Sequence, residues 1–240
     1  MDKTVVLVTG AARGLGREVA RQLADTGRHV VIGARDPEQA KRAAAELGEN
    51  VTALPVGLDI GSDDSVRTAA AALSAEPGRL DALVNNAAAF VDWTEVVSRA
   101  DLAAANEVMQ TNLFGTWRLI QALLPLLRQS PAPRIVNVSS GAGSHDDQAF
   151  GLRVRGGAAA SYGISKAALN ALTSTLAAEL AGTPVLVNSV CPGLTATWPG
   201  AETMGARPIP DGARGIVWAA TLPDDGPTGG FFRDTKPLPW

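Results

Sequence analysis

Residues 4–27 read TVVLVTGAARGLGREVARQLADTG. The β-branched run at 4–9 predicts a buried strand, and the stretch that follows Gly14 has the alanine-rich period of a helix. Gly10, Gly14 and Gly16 lie at the junction, where backbone amides can approach a phosphate at the amino terminus of the helix. A tight turn without a ligand can carry similar glycines, but their position between a strand and a helix favours dinucleotide binding.

The same alternation of short apolar runs and longer helical stretches continues to about residue 190. Parallel βαβ units have this order, and strands covered by helices on both faces are apolar at successive positions. We predict a single doubly wound Rossmann domain of the α/β class over 1–240, with a central parallel sheet and helices on both faces. Strands are expected at 4–9, 29–34, 52–56, 82–85, 134–139 and 185–190, helices at about 14–26, 37–47, 63–75, 100–128 and 160–181, and Pro- and Gly-rich loops at 192–210 and 223–240.

Composition narrows the classes of partner. The formal net charge is −3 and the pI about 5.4, with Lys and Arg spread along the chain, so we expect no nucleic acid and no membrane as partner. The single Cys191 and the distant His29 and His145 predict neither a disulfide nor a metal site. No window has the roughly 20 apolar residues of a membrane span, and 4–9 is too short for a signal sequence. We therefore expect a cytoplasmic protein.

Further motifs follow in an order that resembles the short-chain dehydrogenase/reductase family. The glycines are spaced Gly-x-x-x-Gly-x-Gly, and 85–88 reads Asn-Asn-Ala-Ala where the family has Asn-Asn-Ala-Gly. Because Ala88 replaces the glycine, we expect the loop 88–93 to differ from the family average. Residues 215–240 resemble the ends of carbonyl reductases in this family, with Thr235 where glycine is common. The other elements in the family's order are Asp59, Asn112, Ser140, Tyr162, Lys166 and Pro192-Gly193.

The resemblance implies a nicotinamide dinucleotide cofactor and the residues that hold it. Asp59 would meet the adenine amine, Lys166 the nicotinamide ribose, and the segment after Pro192 the nicotinamide amide. Whether Thr195 or Thr197 bonds the amide stays open. The cofactor-binding residues implied in this way are Gly10, Arg13, Gly14, Leu15, Gly16, Arg35, Asp59, Ile60, Asn86, Ala87, Tyr162, Lys166, Pro192, Gly193, Thr195 and Thr197.

The end of the second predicted strand indicates NADPH/NADP+ as the cofactor. An acidic side chain there would bind the 2'-hydroxyl of NAD and repel the 2'-phosphate of NADP, but the sequence has Ala34 followed by Arg35. Arg13, in the glycine loop, is a second guanidinium suited to the same phosphate. The alternative is a weak surface pair of Arg35 with Asp36 or Glu38.

Tyr162 and Lys166 are four residues apart in a predicted helix, so their side chains leave the same face. A phenol with an ordinary pKa of about 10 is a poor acid or base at neutral pH, and a nearby ammonium favours its ionised form. By the family's pattern Tyr162 is the proton donor, Lys166 tunes it, and Ser140 hydrogen-bonds the substrate's carbonyl oxygen. Asn112 would fix a water beside the lysine. Ser139 is the alternative to Ser140, since adjacent strand residues face opposite ways.

The 21 residues between Ser140 and Tyr162 outnumber those of the family's shorter members. We expect this insertion to border the substrate cleft; a surface loop is the alternative, and His145 is not expected to act as a second acid. Ligands of doubly wound sheets bind at the carboxyl ends of the strands, where loops at about 88–99, 141–160 and 192–210 should lie. We predict a hydrophobic or aromatic ketone or aldehyde as substrate. The residues expected to bind it are Ser140, Phe90, Trp93, Phe150 and Trp198, with Met204 also in the wall.

Three functions fit these observations. We favour an NADPH-dependent carbonyl reductase. An NAD(P)-dependent dehydrogenase of a secondary alcohol or steroid would use the same residues in reverse, and a non-catalytic dinucleotide-binding sensor would keep only the fold. The complete set of Asn112, Ser140, Tyr162 and Lys166 speaks against the sensor. Both a monomer and a homo-oligomer stay open, because the family often pairs the helices expected at 100–128 and 160–181.

Overall fold

Eight strands form one sheet in the computed structural model, which describes residues 4–240. The strands are β1 (Val5–Thr9), β2 (His29–Gly33), β3 (Val51–Ala53), β4 (Ala82–Asn85), β5 (Arg134–Val138), β6 (Leu186–Val190), β7 (Phe231–Arg233) and β8 (Lys236–Pro237). Their order across the sheet is β3-β2-β1-β4-β5-β6-β7-β8, and only β8 pairs antiparallel to its neighbour. The order reverses between β1 and β4, which opens a crevice at the carboxyl ends of these strands.

Helices cover both faces of the sheet. They are α1 (Gly14–Asp25), α2 (Pro37–Leu47), α3 (Asp63–Ala75), α4 (Leu102–Met109), α5 (Thr116–Leu127), α6 (Ala160–Glu179) and α7 (Ile209–Ala220). In β1, Val6 and Val8 pack against α1, α2 and α7, whereas Val5 and Leu7 pack against α3, α5 and α6. Burying one such side chain contributes about 1.5–3 kcal/mol. The predicted doubly wound α/β fold is confirmed.

The third strand is shorter than predicted. It spans Val51–Ala53 instead of 52–56. The amide of Leu54 still donates to the carbonyl of Ile32 at 3.0 Å, but Pro55 has no N–H with which to continue the ladder.

The helix expected over 100–128 is interrupted. A π-helical turn at Gln110–Gly115 joins α4 to α5. It brings the chain so close to the segment after β3 that a Cβ on Gly115 would lie 2.8 Å from the carbonyl oxygen of Ile60. This long-range contact gives no periodic signal in the sequence.

The two stretches expected to be loops contain regular structure. Helix α7 begins at the end of 192–210, and β7 and β8 lie within 223–240. Glycines give α7 a low helix propensity, yet a Cβ on Gly212 would lie 2.5 Å from Oγ1 of Thr195. The close packing of α7 against Thr195 requires a glycine at this position, although glycine has a low helix propensity.

Within residues 4–240, none of the helices is long and apolar enough to cross a membrane. The same residues contain no group of three or more His, Cys, Asp or Glu side chains placed to hold a metal ion.

Candidate active site

A cavity of about 850 Å³ lies at the carboxyl ends of the strands. The loops after β1, β2, β3, β4, β5 and β6 line it, together with parts of the insertion and of α6. Every residue predicted to hold the cofactor lines this cavity, as do the predicted substrate residues Ser140, Phe90, Trp93, Phe150 and Trp198. Sequence positions up to 189 apart therefore meet at one site, as Gly10 and Pro199 do.

Gly10 and Gly16 of the glycine loop lie so close to neighbouring segments that little space is left for a side chain at either position. Gly10 has a positive φ of +64°, and a Cβ on Gly16 would lie 2.4 Å from Nδ2 of Asn86 and 2.7 Å from the Gly10 carbonyl oxygen. Asn86 Nδ2 donates to the carbonyl of Thr9 at 2.9 Å, which joins the loops after β1 and β4. Since no side chain caps the amino terminus of α1, its backbone amides face the cavity as donors for a phosphate.

Arg13 and Arg35 both line the cavity and are exposed to solvent. The alternative partners of Arg35 are occupied elsewhere: Asp36 accepts from the amide of Glu38 at 2.9 Å, and Glu38 pairs with Lys41 at 2.7 Å. Among residues 4–240 neither arginine has a carboxylate at ion-pair distance. Their charges are available to an anion at the end of β2.

Tyr162 and Lys166 lie on the cavity-facing side of α6 and are almost fully buried. Burial raises the pKa of Tyr162, the nearby Cys191 acts in the same direction, and a hydrogen bond with Ser140 opposes them. Burial therefore acts against the lowering of this pKa by Lys166 that the sequence predicts, and the role of Lys166 as the tuning residue stays a prediction. The phenol is protonated at neutral pH.

Lys166 lies beside the tyrosine but bonds elsewhere. Its Nζ is 5.6 Å from the centre of the Tyr162 ring and donates to the carbonyl of Val138 at 2.8 Å. Burial lowers the pKa of Lys166 to about 8, and the neighbouring Cys191 opposes that shift. The ammonium is therefore close to its titration range at physiological pH.

The two serines after β5 have different surroundings. Ser139 is fully buried and its Oγ reaches only the carbonyl of Lys166, at 3.5 Å. Ser140 is partly exposed, accepts from the amide of Ala142 at 3.2 Å and bonds Tyr162. Its position beside the tyrosine agrees with the preference for Ser140.

Asn112 is buried in the π-helical turn, behind the cavity wall. Its Nδ2 donates to the carbonyl of Ala89 and to Oγ of Ser165, both at 3.0 Å, and its Oδ1 accepts from the amide of Ala89 at 2.8 Å. Both amide hydrogens are used, so the side chain holds the loop after β4 against α6. A water beside the lysine would have to bond to another group of this residue, such as its backbone.

Aromatic rings form one wall of the cavity around the tyrosine. Phe90 stacks on Tyr162 with ring centres 5.2 Å apart, and Trp93 meets Tyr162 edge-on at 5.4 Å. Trp198 stacks on Trp93 at 6.1 Å, and Phe150 completes the predicted set. Met204 is 66% exposed and lies outside this wall, because the turn at Ala201–Met204 carries it away from the cavity.

Residues 4–204 match the family model of the short chain dehydrogenases. The chain belongs to the short-chain dehydrogenase/reductase family. Carbonyl reductase (NADPH) 1 of Mus musculus is 32% identical over 285 residues, which cover 100% of this chain and 99% of the relative. Salutaridine reductase from Papaver somniferum superposes with a TM-score of 0.79 at 28% identity, over 97% of this chain and 100% of the other. A short-chain dehydrogenase from Shigella flexneri 2a, complexed with NADP, gives a TM-score of 0.81 at 26% identity, over 97% of both chains.

As a short-chain dehydrogenase/reductase, the protein is an oxidoreductase that binds a nicotinamide dinucleotide and acts on a small molecule. Arg155 and Cys191 are among the lining residues to which the motifs gave no role. Cys191 accepts from the amide of Gly141 at 3.1 Å and from Arg233 at 3.3 Å. Its position directly before Pro192-Gly193 was the available signal for Cys191, and Arg155 lies in the insertion that was expected to border the cleft.

The insertion of this short-chain dehydrogenase/reductase is anchored to the end of the chain. Buried Asp147 pairs with Arg233 of β7, and Oγ of Ser144 donates to the carbonyl of Pro239 at 2.7 Å. The insertion therefore borders the cavity as an ordered wall, through Phe150 and Arg155. His145 is exposed and does not line the cavity.

Proposed function

We propose that this enzyme reduces a hydrophobic or aromatic ketone or aldehyde to an alcohol with NADPH, and that Tyr162 donates the proton. The observation that carries the proposal is the meeting of Ser140, Tyr162 and Lys166 with the glycine loop and two free arginines in one cavity. NADPH bound in this cavity would supply a hydride for the carbonyl carbon and would be oxidised to NADP+. The hydride and the proton from Tyr162 account for the two hydrogens that the carbonyl group gains.

The nucleotide side of the cavity, formed by the glycine loop and the ends of β2 and β3, fits a dinucleotide. A Cβ on Gly16 would fill the space of the loop, and the uncapped start of α1 offers amides to the pyrophosphate. Arg13 and Arg35 would bind a 2'-phosphate, and Asp59 and Ile60 line the cavity where the adenine is expected. The Shigella flexneri relative complexed with NADP supports this choice of cofactor.

Tyr162 is placed to act as an acid. Its phenol is protonated at neutral pH and lies beside Ser140, so both hydroxyls can donate to one carbonyl oxygen. Burial raises the pKa of the phenol and so opposes loss of the proton. Loss of the proton leaves a phenolate beside the Lys166 ammonium, 5.6 Å from the ring centre, and the positive charge stabilises it.

The substrate class rests on the aromatic wall. Phe90, Trp93 and Trp198 offer ring faces and edges next to the reacting hydroxyl, which suits a flat, apolar molecule. Relatives named carbonyl reductase and salutaridine reductase support a ketone or aldehyde. The cytoplasmic location and the choice between monomer and homo-oligomer stay predictions.

A second candidate is an NAD(P)-dependent dehydrogenase that oxidises a secondary alcohol, since every transfer described above can run in reverse. A relative named (+)-neomenthol dehydrogenase, 29% identical, supports this second candidate. A preference for NAD+ and an alcohol over NADPH and a ketone would select this reading.

The experiment compares wild type with Tyr162→Phe, using NADPH or NADH and a panel of aromatic ketones, and follows the absorbance of the reduced nicotinamide. We expect wild type to consume NADPH and the variant to lose at least about 100-fold in kcat. Quenching of tryptophan fluorescence by NADPH should be unchanged in the variant. If both cofactors bind wild type and neither is consumed with any carbonyl, the dinucleotide-sensor reading replaces the reductase.

A further inference from the structure

The catalytic helix α6 has no cap of its own. The residue before it, Ala159, is buried, lies in the left-handed region at φ +56° and has no side-chain acceptor for the first amides of the helix. Unpaired amides at a buried helix start cost stability and let the first turn fray. Tyr162 is the third residue of this turn, so its position depends on whatever replaces the cap.

Glu95 supplies the missing acceptors from a different part of the chain. Its Oε2 accepts from the amide of Ser161 at 2.7 Å, and its Oε1 accepts from Oγ of the same serine at 3.0 Å. Its backbone carbonyl also accepts from the amide of Ala160 at 3.3 Å. A carboxylate at a helix amino terminus also has a favourable interaction with the helix dipole.

The loop that carries Glu95 also carries two rings of the aromatic wall of the cavity. Phe90 and Trp93 lie five and two residues before Glu95, and both contact the Tyr162 ring, at 5.2 and 5.4 Å between centres. Ser161, which Glu95 binds, is the residue directly before Tyr162. One carboxylate therefore fixes the distance between the aromatic wall and the proton donor.

We propose that Glu95 is a positioning residue of the reaction: it caps α6 in place of Ala159 and holds the loop of Phe90 and Trp93 against Tyr162. The proposal rests on the proposed function, in which Tyr162 reacts with a substrate on this wall. A reacting group displaced by about 1 Å can lose up to about 100-fold in rate. Glu95 acts through Ser161 and touches no reacting atom.

The first test reads Tyr162 without any substrate. Tyr162 is the only tyrosine in the chain, so labelling with [13Cζ]tyrosine gives one resonance whose titration reports this phenol. The other titratable groups beside the ring are Lys166 and Cys191, and they are unchanged in the variants. In Glu95→Ala the first turn frays, water reaches the phenol and a negative charge is lost, so its titration should begin at lower pH than in wild type.

The second test is kinetic. We expect Glu95→Ala to lower kcat for an aromatic ketone by about 10-fold with an unchanged KM for NADPH. Glu95→Gln keeps an oxygen acceptor for the Ser161 amide and should recover most of kcat. Glu107→Ala is the matched control. The Glu107 carboxylate lines a second, smaller cavity that Glu95 also lines, and within residues 4–240 it has no ion pair.

The outcomes separate the two proposals. If Glu95→Ala has the kcat and the Tyr162 titration of wild type, or if it only lowers Tm while both stay unchanged, Glu95 does not position the tyrosine. If wild type reduces no carbonyl, the proposed function fails, and the resonance of Tyr162 still decides whether Glu95 holds it.

Discussion

On the nucleotide side of the cavity, around the glycine loop, neighbouring groups leave no space for a side chain: a Cβ on Gly16 would meet Nδ2 of Asn86 and the carbonyl oxygen of Gly10. On the substrate side, ion pairs between distant segments hold the walls: Asp147 of the insertion pairs with Arg233, and Arg207 pairs with Asp234. The glycine loop has no room for a side chain, whereas the walls of the substrate side depend on the charges of Arg233 and Asp234. Substitutions in the glycine loop should therefore weaken cofactor binding, and substitutions in the ion pairs should lower stability and substrate affinity.

The largest effect is expected from Gly16→Val. Its Cβ would lie 2.4 Å from Nδ2 of Asn86 and 2.7 Å from a backbone oxygen, so the glycine loop must move. We expect the Kd for NADPH, measured by fluorescence quenching, to rise by more than about 100-fold, the cost of several lost charge-assisted hydrogen bonds. Gly182→Ala, at a positive φ of +81° with open space around it, is the control for backbone strain and should bind NADPH normally. Normal binding by Gly16→Val would contradict the assignment of this loop.

Arg233→Ala should destabilise the substrate side. It leaves the buried Asp147 carboxylate without its ion pair, which costs about 3 kcal/mol in the free energy of unfolding. We expect this loss in urea unfolding, together with a raised KM for the ketone and an unchanged Kd for NADPH. Arg214→Ala, which breaks an exposed pair with Asp211, is the matched control and should cost less than about 1 kcal/mol.

Acid should have the same effect as Arg233→Ala. Burial raises the pKa of Asp147, but Arg233 and the amides of Ala149 and Phe150 lower it more, to below its ordinary value. A carboxyl with a lowered pKa stabilises the fold above its unfolded pKa of about 3.9 and loses that contribution as the pH falls further. Below about pH 4 the stability difference between wild type and Asp147→Asn should shrink. A constant difference down to pH 2 would contradict the ion pair.

Arg35→Ala should change cofactor choice by a smaller factor. Loss of one charge-assisted contact to the 2'-phosphate should raise the KM for NADPH by about 10-fold and leave the KM for NADH nearly unchanged. Arg128→Ala, an exposed arginine at the end of α5, is the control. Equal losses for both cofactors would remove Arg35 from the phosphate site.

The smallest effect concerns Lys166, where the two sides meet. Burial lowers its pKa to about 8, whereas the unfolded chain titrates near 10.4, so the unfolded state binds more protons between these values. The contribution of this lysine to stability therefore rises from about pH 8 to about pH 10. Any advantage in Tm of Lys166→Met over wild type at pH 7 should shrink by pH 10. A difference in Tm that is independent of pH would contradict the burial of a neutral lysine.

The residues that the sequence predicted for the cofactor all line one cavity, because the glycines, the strand ends and Tyr162 with Lys166 are local patterns. Their roles stay predictions. Helix α7 and strands β7 and β8 were missed, since Pro and Gly hide them and long-range packing stabilises them. Met204 was misplaced because hydrophobicity alone does not say which way a turn points a side chain. Whether Arg35 would pair with Asp36 or Glu38 was also left open by the sequence, and the structure shows neither pair.

The sequence by itself determined the fold class, and it predicted the place of the dinucleotide loop and the roles of Tyr162, Lys166 and Ser140, because motif spacing along the chain carries these signals. Only the tertiary structure decided that burial raises the pKa of Tyr162, that Glu95 caps its helix and that Arg233 anchors the insertion. These three depend on desolvation and on partners at least 66 residues away, and neither is visible in a local pattern.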